Sequence, residues 1–360
     1  MDRTDTGAGM EFGLFSNGFR PHTTAARTYQ ADIEEIVLAD ALGFRDAYIS
    51  EHHGEPPYID RVDTIPAPEF MMCKAAALTK RIRMGAAVKL LHLHHPLDVA
   101  VQAAVVEHLV GEGRFIFGFG SGFPSPLFSE ARGLSFEDRH ARLRESLEII
   151  LRCWTEDQPF DLDGKYWKGK KLVALPRPLS RPHMPMATAT DSEDMIRLAA
   201  ERGYALLSAF FESNEVFRRK AEIYEAAGRA AGHADPRKLL AGSRAVYVAD
   251  SVKQALDHLR PAVAVEVGFQ AERGFLDMLK RVYGVEVPND ARALDALVEA
   301  GIYILGDPDT VARGIRDYYE AIGGFGSFLL VGGKDWTTKE NRARSLRRFM
   351  AEVAPRLGDL

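Results

Sequence analysis

The sequence has few cysteines, no long apolar run and no excess of basic residues. Cys73 and Cys153 are the only two in 360 residues, and both fall in stretches of helical character, so we expect reduced thiols rather than a disulfide framework. The formal charge, 46 basic minus 51 acidic residues or −5, argues against nucleic acid as a partner. The first apolar run, Met10 to Phe15, is too short for a signal sequence or a membrane span. We therefore expect a cytoplasmic protein with no membrane partner and a flexible tail over residues 1–9.

Several catalytic signatures are also missing. The sequence contains no G-x-S-x-G, Walker loop, H-E-x-x-H or C-x-x-C, so common hydrolases, nucleotidases and zinc proteins lose support. After the first predicted strand it reads Leu14-Phe15-Ser16-Asn17-Gly18, without the G-x-G-x-x-G fingerprint of a dinucleotide-binding sheet. An open doubly wound sheet nevertheless remains the alternative architecture.

Short β-rich runs alternate with amphipathic stretches of helical period, which is typical of parallel strands joined by crossover helices. Eight such units predict an α/β fold, a single-domain (β/α)8 or TIM barrel over residues 10–360. A barrel needs roughly 250 residues, so we expect insertions near 122–134, 159–182 and 261–306. The predicted strands are Glu11 to Phe15, Asp46 to Ser50, Ile82 to Leu91, Phe115 to Phe119, Pro185 to Thr190, Tyr204 to Ser208, Leu240 to Val248 and Ser327 to Val331. The predicted helices begin near Arg27, Ala67, Pro96, Ser135, Ser192, Asn214, Ser251 and Thr337.

Polar residues follow several of these strands. In a barrel the active site forms at the carboxyl ends of the strands, so these residues are the candidates for chemistry. The histidines after strand two can pass protons near neutral pH, although they can equally brace a loop. The segments concerned are Glu51-His52-His53, His92-Leu93-His94-His95, Gly118-Phe119-Gly120-Ser121-Gly122 and Thr190-Asp191-Ser192.

The H-x-H pair of His92 and His94 raises the possibility of a metal site, since alternate residues of a strand share one face. No histidine follows strands five to eight, so the remaining ligands are missing and we predict no metal. We expect His95-Pro96 to shape the start of a helix, with His92 and His94 on a polar rim. Lys89 should point away from the barrel axis, with its amine reaching solvent between helices.

The glycines after strand four allow a flat ring or a phosphate to approach the backbone closely. Asp191-Ser192 should cap the next helix, whose free amides favour an anion. Asp191 would repel a dianion unless it points away, so Ser192 is the better phosphate candidate.

Four segments occur in an order that suggests a family. They are Glu51-His52-His53, Gly85-Ala86-Ala87-Val88, His95-Pro96 and Gly113-Arg114-Phe115-Ile116-Phe117-Gly118. Gly203, Gly306-Asp307-Pro308 and a final amphipathic helix follow them. On these residues the chain resembles the bacterial luciferase-like monooxygenases over roughly Met10 to Leu357.

The resemblance implies reduced FMN, supplied by a separate flavin reductase, which reacts with O2 to a C4a-peroxyflavin that oxygenates a small to medium apolar substrate. His52 corresponds to the catalytic acid or base, with His53 beside it. Ala87 and Val88 correspond to a pair joined by a non-prolyl cis bond beneath the flavin.

By position, Asp191 and Ser192 match the loop around the ribityl phosphate, and Phe210 would form an aromatic wall. Two residues depart from luciferase itself: Ser121 replaces a phosphate-binding arginine, and Gly120 replaces a reactive cysteine. Both stay candidates for contact with the cofactor, but light emission is not implied. The candidates for substrate contact are Phe15, Phe123 and Phe128.

Two further functions remain open. Related barrels transfer hydride with the deazaflavin F420, and the same histidine and glycine positions would serve that ring. A non-catalytic flavin-binding protein is the other, although the intact histidine pair argues against it. The family resemblance also makes a homodimer plausible through helices near strands two and three.

Overall fold

The structure, a computed structural model, describes residues 9–16, 23–53, 65–122, 126–272, 274–332 and 337–360. The strands in these residues are β1 (Glu11–Ser16), β2 (Asp46–Ile49), β3 (Arg83–Ala86), β4 (Lys89–Leu90), β5 (Phe115–Gly120), β6 (Phe160–Asp163), β7 (Lys168–Leu172), β8 (Met186–Thr188), β9 (Ala205–Leu207), β10 (Leu240–Val248), β11 (Tyr303–Gly306) and β12 (Ser327–Val331). The α-helices are α1 (Ala25–Leu42), α2 (Pro68–Ala76), α3 (Pro96–Val110), α4 (Leu127–Glu130), α5 (Arg139–Thr155), α6 (Glu193–Glu201), α7 (Asn214–Ala230), α8 (Val252–Glu272), α9 (Phe275–Met278), α10 (Ala293–Glu299), α11 (Pro308–Ile322) and α12 (Lys339–Arg348).

Eight parallel strands close into a barrel. Their order around the ring is β1, β2, β3, β5, β8, β9, β10 and β12, and β12 pairs with β1. β10 lies between β9 and β12 and is hydrogen-bonded to both, which closes the ring. Closure satisfies the backbone groups that an open sheet would leave at its edges. The predicted (β/α)8 barrel is therefore confirmed, and the doubly wound alternative is wrong.

The barrel interior is filled by side chains from seven of these strands. Because side chains alternate along a strand, one residue of each strand lies at a similar height and meets the others at the axis. Around the ring this cluster consists of Phe15, Tyr48, Ile116, Ala187, Leu207, Ala241 and Leu329. By the same alternation, Gly118 and Gly120 follow Ile116 on the inner side of β5, so no side chain from that strand covers the layer above.

The bounds of one predicted strand are wrong. The third strand is not continuous from Ile82 to Leu91, because β3 ends at Ala86 and β4 covers only Lys89–Leu90, followed by a short 3-10 helix over Leu91–Leu93. The third insertion, near 261–306, stays a prediction, and these residues contain regular structure. Pro261 lies inside α8, and β11 pairs with the carboxyl half of β10. A helix that contains a proline and a strand of four residues both give a weak local signal in the sequence. Tertiary packing stabilises both elements here.

The other predicted insertions contain a helix and a hairpin. Residues 126–134 include α4, and β6 and β7 form an antiparallel pair separate from the barrel. The division into a tail over residues 1–9 and a barrel over 10–360 stays a prediction. Both cysteines are free thiols, as expected. Of the helices the structure describes, none is both long enough and apolar enough to cross a bilayer.

Candidate active site at the carboxyl ends of the barrel strands

A buried carboxylate stands directly after β2. Glu51 is 4% exposed, and its Oε1 accepts hydrogen bonds from Nε2 of His53 at 2.7 Å and Nε2 of His94 at 2.8 Å. Its Oε2 accepts the backbone N–H of Leu90 at 3.1 Å and lies 3.4 Å from the Lys89 amine. Burial raises the pKa of Glu51, but the hydrogen bonds from the two histidines and the charge of Lys89 outweigh it and hold the pKa well below its usual range. The carboxylate is therefore ionised.

The other face of the His53 imidazole meets the segment that follows β5. Nη2 of Arg132 lies 3.3 Å from Nδ1 of His53, and the Phe128 ring packs edge-on against the imidazole at 5.4 Å. Nη1 of the same arginine donates to the Phe128 carbonyl at 3.0 Å. His53 is therefore held between a carboxylate on one nitrogen and a guanidinium on the other.

The backbone between β3 and β4 approaches β5 very closely. The Ala87–Val88 peptide bond is cis, as the resemblance implied. A Cβ at Gly118 would lie 1.7 Å from the Ala86 carbonyl oxygen, and one at Gly120 would lie 2.7 Å from Cγ2 of Val88. Only glycine allows this approach, because both distances are below any real Cβ contact. The glycines of β5 are thus required by neighbouring protein atoms, whatever they contact besides.

Small and apolar residues surround the open end of the barrel. Phe15, Ala87 and Ala189 are partly buried and pack on the interior cluster. Val88 and Phe128 belong to a second cluster with Leu90 and Leu93, and Ala189 also packs against it. Phe15, Ala87, Val88, Gly120 and Phe128 therefore lie around one end of the barrel, with His53 beside them.

β8, the fifth strand of the barrel, is connected to α6 by a loop that contains Asp191 and Ser192. Ser192 is the N-cap residue of α6, but its side chain makes no capping hydrogen bond, and its N–H is bonded to the Thr190 hydroxyl at 3.1 Å. The Asp191 carboxylate turns away from the helix and forms an ion pair with Lys220. The expected capping by these side chains is wrong, since a nearby buried amine competes for the carboxylate.

Lys220 links three elements at this end of the barrel. Its amine also pairs with Glu212 at 2.6 Å, and the Tyr283 hydroxyl donates to Asp191 at 3.2 Å. Burial lowers the pKa of Lys220, but the negative charges of Glu212 and Asp191 raise it by more than burial lowers it. The amine therefore stays charged. Burial raises the pKa of Glu212 even beside this amine. The network links the loop after β8, the loop after β9 and the segment after α9.

Arg244 holds the loop that follows β9. Its guanidinium is fully buried and donates to the carbonyls of Phe210 at 3.2 Å and Glu212 at 3.0 Å, and to Oδ1 of Asn214 at 2.8 Å. The Phe210 ring packs on Phe211 at 5.0 Å, next to the core of residues around α8 and α10. Phe210 thus lies just after β9, the sixth strand of the barrel, in a different apolar cluster from Val88 and Phe128.

The predicted H-x-H pair does not converge. His92 is 3% exposed in the 3-10 helix, and its Nδ1 has no hydrogen-bond partner among the described residues, whereas His94 reaches Glu51. A helical turn replaces the extended strand that the pairing assumed. Ligand atoms of Glu51, His53 and His94 do lie within 4.8 Å of one another. Lys89 beside this group disfavours a divalent cation, so the absence of a metal stays a prediction.

The remaining predicted residues are His52, Ser121, Phe123 and His95. His52 is half-buried, and its backbone N–H donates to the Ile65 carbonyl at 2.9 Å. Ser121 is half-buried directly after β5, beside Gly120. Phe123 lies outside the described residues. His95 caps α3 by accepting the Leu97 N–H at 3.3 Å, as expected.

Sequence reasoning missed the residues that organise these contacts. Glu51 was treated only as the neighbour of two histidines, and Lys220 and Arg132 were not singled out. Lys89 was expected to reach solvent, but its amine is buried and pairs with Glu51 and with Glu69 at 3.2 Å. The available signal was a cation inside an apolar strand, which implies a buried carboxylate as its partner.

Comparison with known proteins identifies the family. The family model described as luciferase-like monooxygenase matches residues 10–324. The 4-hydroxyprotoasukamycin monooxygenase of Streptomyces nodosus subsp. asukaensis is 33% identical, and the alignment covers 96% of this chain and 92% of that protein. The 3,6-diketocamphane 1,6-monooxygenase of Pseudomonas putida is 28% identical, with 97% and 98% covered.

Solved structures agree with this assignment. The oxygenating constituent of 3,6-diketocamphane monooxygenase from Pseudomonas putida, in complex with FMN, has a TM-score of 0.81 at 28% identity and covers 97% of this chain, with 98% of its own covered. An F420-dependent secondary alcohol dehydrogenase has a TM-score of 0.71 at 17% identity, which shows a shared fold alone. Because the family model spans most of the chain, this protein belongs to the luciferase-like monooxygenase family, and the predicted oxidoreductase, a flavin-dependent monooxygenase, is confirmed.

Proposed function

We propose that this protein uses reduced FMN and O2 to add one oxygen atom to a small to medium-sized apolar organic substrate. The second oxygen atom leaves as water, and FMN is released in its oxidised form. The observation that supports this best is the end of the barrel where small and apolar residues surround the Glu51–His53 pair. By name, the relatives given above oxygenate 4-hydroxyprotoasukamycin and 3,6-diketocamphane, and FMN is bound in the solved neighbour.

The residues present fit FMN. Ala87 and Gly120 carry little or no side chain at this end of the barrel, and Val88 lies against Gly120, which would suit one face of an isoalloxazine ring. Reduced FMN supplies the two electrons that activate O2 when it is bound. Ring binding would therefore place the reacting atoms beside His53.

The phosphate of FMN would lie near Ser192 and Ser121, with the amides at the start of α6 as donors. Lys220 holds the Asp191 carboxylate, which reduces the repulsion that this carboxylate would exert. Phe210 would contact the cofactor from strand six. His52 and His53 would hold or pass the proton that oxygen transfer requires, and Phe15, Phe123 and Phe128 would exclude water around the substrate.

The assay combines the protein with FMN, a flavin reductase, NADH and a panel of apolar ketones and terpenes under ¹⁸O2. We expect oxygen consumption that depends on substrate, and a product that contains one ¹⁸O atom. His52→Ala and His53→Ala should lower product formation, with His108→Gln on α3 as the matched control, since His108 is exposed and its Nε2 lies 3.0 Å from the Arg177 carbonyl oxygen. Unchanged turnover in both histidine variants would support a non-catalytic role.

The same protein preparation decides between FMN and the deazaflavin F420 as the cofactor. We expect FMN to bind and F420 not to, because the F420-dependent neighbours share only the fold. Binding of F420 with hydride transfer to a ketone, and no ¹⁸O in any product, would overturn the proposal.

We further infer a cytoplasmic homodimer that meets its flavin reductase transiently. Phe70 on α2 and Leu109 on α3 are 79% and 63% exposed, and an interface through these two helices would cover them. Sedimentation of the wild-type protein and of Phe70→Glu with Leu109→Glu tests this. A wild-type monomer would rule out the dimer.

A further inference from the structure

The contacts of Glu51 determine where protons lie on two histidines. An ionised carboxylate can only accept hydrogen bonds, so each imidazole nitrogen that contacts Oε1 must carry a proton. These nitrogens are Nε2 of His53 at 2.7 Å and Nε2 of His94 at 2.8 Å. Lys89, which lies 3.4 Å from Oε2, adds a positive charge that keeps the carboxylate ionised.

The contact with Arg132 determines the other nitrogen of His53. A guanidinium has five donors and no acceptor, so the atom facing Nη2 at 3.3 Å must offer a lone pair. Nδ1 of His53 is therefore unprotonated. The two contacts together allow only the neutral Nε2–H tautomer, because the opposite tautomer would place two donors face to face at Arg132 and two acceptors at Glu51.

Resting on the proposed function for its role in turnover, we propose that Glu51 and Arg132 are positioning residues that leave Nδ1 as the basic atom of His53. We also infer that a proton taken up at this atom releases Arg132, and with it the segment 126–134. The proton comes from solvent or from the reacting group, and His53 becomes an imidazolium with both nitrogens protonated.

The release follows from charge and geometry. An imidazolium Nδ1–H facing a guanidinium N–H brings two donors and two positive charges to about 3 Å, which is repulsive even with solvent nearby. Arg132 is solvent-exposed and can move, whereas Glu51 is buried and retains its bond to Nε2. Movement of Arg132 also breaks its bond to the Phe128 carbonyl. Phe128, whose ring packs on the same imidazole, then loses its hydrogen bond to Arg132.

Other charged groups around His53 do not provide a competing explanation. Lys89 pairs with Glu51 and with Glu69 of α2, so its charge is compensated. His94 shares the Glu51 oxygen and faces the imidazole of His53 at a ring separation of 6.4 Å. Farther out are His92, with Arg139 and His140 near it on α5. Of the described groups, Arg132 is the one within hydrogen-bond distance of Nδ1.

The tautomer is measured by long-range ¹H–¹⁵N NMR of ¹⁵N-histidine protein without cofactor at pH 8, and His53→Gln assigns the signal. We expect a single neutral Nε2–H form in the wild type. Glu51→Gln should give a mixture of tautomers, because an amide can donate as well as accept, and Glu51→Asp should restore the Nε2–H form. Glu69→Gln is the matched control, since it contacts Lys89 but no histidine.

An Nδ1–H tautomer in the wild type, or an unchanged signal in Glu51→Gln, would overturn the proposal. Because no turnover is needed, this result is independent of whether the protein oxygenates an apolar substrate. Circular dichroism of each variant ensures that only folded proteins are compared.

The release is measured by hydrogen exchange of the amides in 126–134, corrected for intrinsic rates. In the wild type we expect exchange to rise more than about tenfold between pH 8 and pH 5. Arg132→Gln should show the fast exchange already at pH 8 and no further pH response. Arg139→Gln, which removes a neighbouring guanidinium that contacts Phe136, should behave as the wild type. A pH response that persists in Arg132→Gln would refute the coupling.

Discussion

Replacing Lys220 by Met tests the buried network that links the loops after β8 and β9. Lys220 and Glu212 are 8% and 2% exposed, and their side chains are 2.6 Å apart. Without the amine, Glu212 keeps only the Ala209 N–H at 3.1 Å as a donor to Oε1, and its Oε2 already lacks a partner among the described residues. Removing one member of a buried pair costs about 3–5 kcal/mol, because the other charge stays buried and uncompensated.

The loss should depend on pH, because Glu212 can escape its burial by taking up a proton. Burial already raises the pKa of Glu212 in the wild type, and loss of Lys220 raises this pKa further. Above the unfolded pKa of about 4.3, the folded state then binds more protons than the unfolded state, so stability falls as pH rises. We expect the full loss at pH 8, with about 1.4 kcal/mol regained for each pH unit below the folded pKa.

Urea denaturation at pH 8 and pH 6, followed by circular dichroism, measures this effect. The double variant Lys220→Met with Glu212→Gln should regain most of the loss, because a neutral amide replaces the buried charge. Lys253→Met on α8 is the control, since Lys253 and Asp257 form an exposed pair and its loss should not change stability measurably. A single variant as stable as this control at pH 8 would refute the reasoning, as would a double variant no better than the single one.

Three further predictions concern buried positions. His92→Leu should make the protein less sensitive to acid: burial, with the charge of Arg139, lowers the pKa of His92 to about 4, so up to about 3 kcal/mol of wild-type stability is lost as pH falls from about 6.5 to about 4, measured by urea denaturation at pH 7.5 and 5. Gly118→Ala should prevent accumulation of folded protein, because the new Cβ would lie 1.7 Å from the Ala86 carbonyl oxygen; a normal melting curve would contradict this. Gly268→Ala inside α8 should raise stability by up to about 1 kcal/mol, since its nearest neighbour is 3.9 Å away; a clear loss would contradict the helix-propensity argument.

Much of the fold could be predicted from local patterns. β10 and β12 have the predicted bounds, and α3 and α7 begin at the predicted Pro96 and Asn214. Long apolar runs and helix-start signals are local, so periodicity finds them. β11 was missed because its four residues are too few to show a period.

The candidate site could be predicted only in part. The strand-end rule pointed to His53, Gly120 and Ser192, and the structure places all three at carboxyl ends of barrel strands. It did not show that Glu51 is the common partner of two histidines, or that Asp191 turns to Lys220 instead of capping α6. Both depend on which side chains meet across loops, and the choice between a cap and an ion pair is a competition that local sequence does not decide.

By itself the sequence determined the alternation of strands and helices, the glycines where backbones come close, and the family. The tertiary structure alone decided which polar side chains meet: Glu51 with His94, 43 residues away, and Asp191 with Tyr283, 92 residues away. The physical reason is that periodicity and capping act within a few residues along the chain. Hydrogen bonds and ion pairs act within a few ångströms, between residues that only the closed barrel brings together.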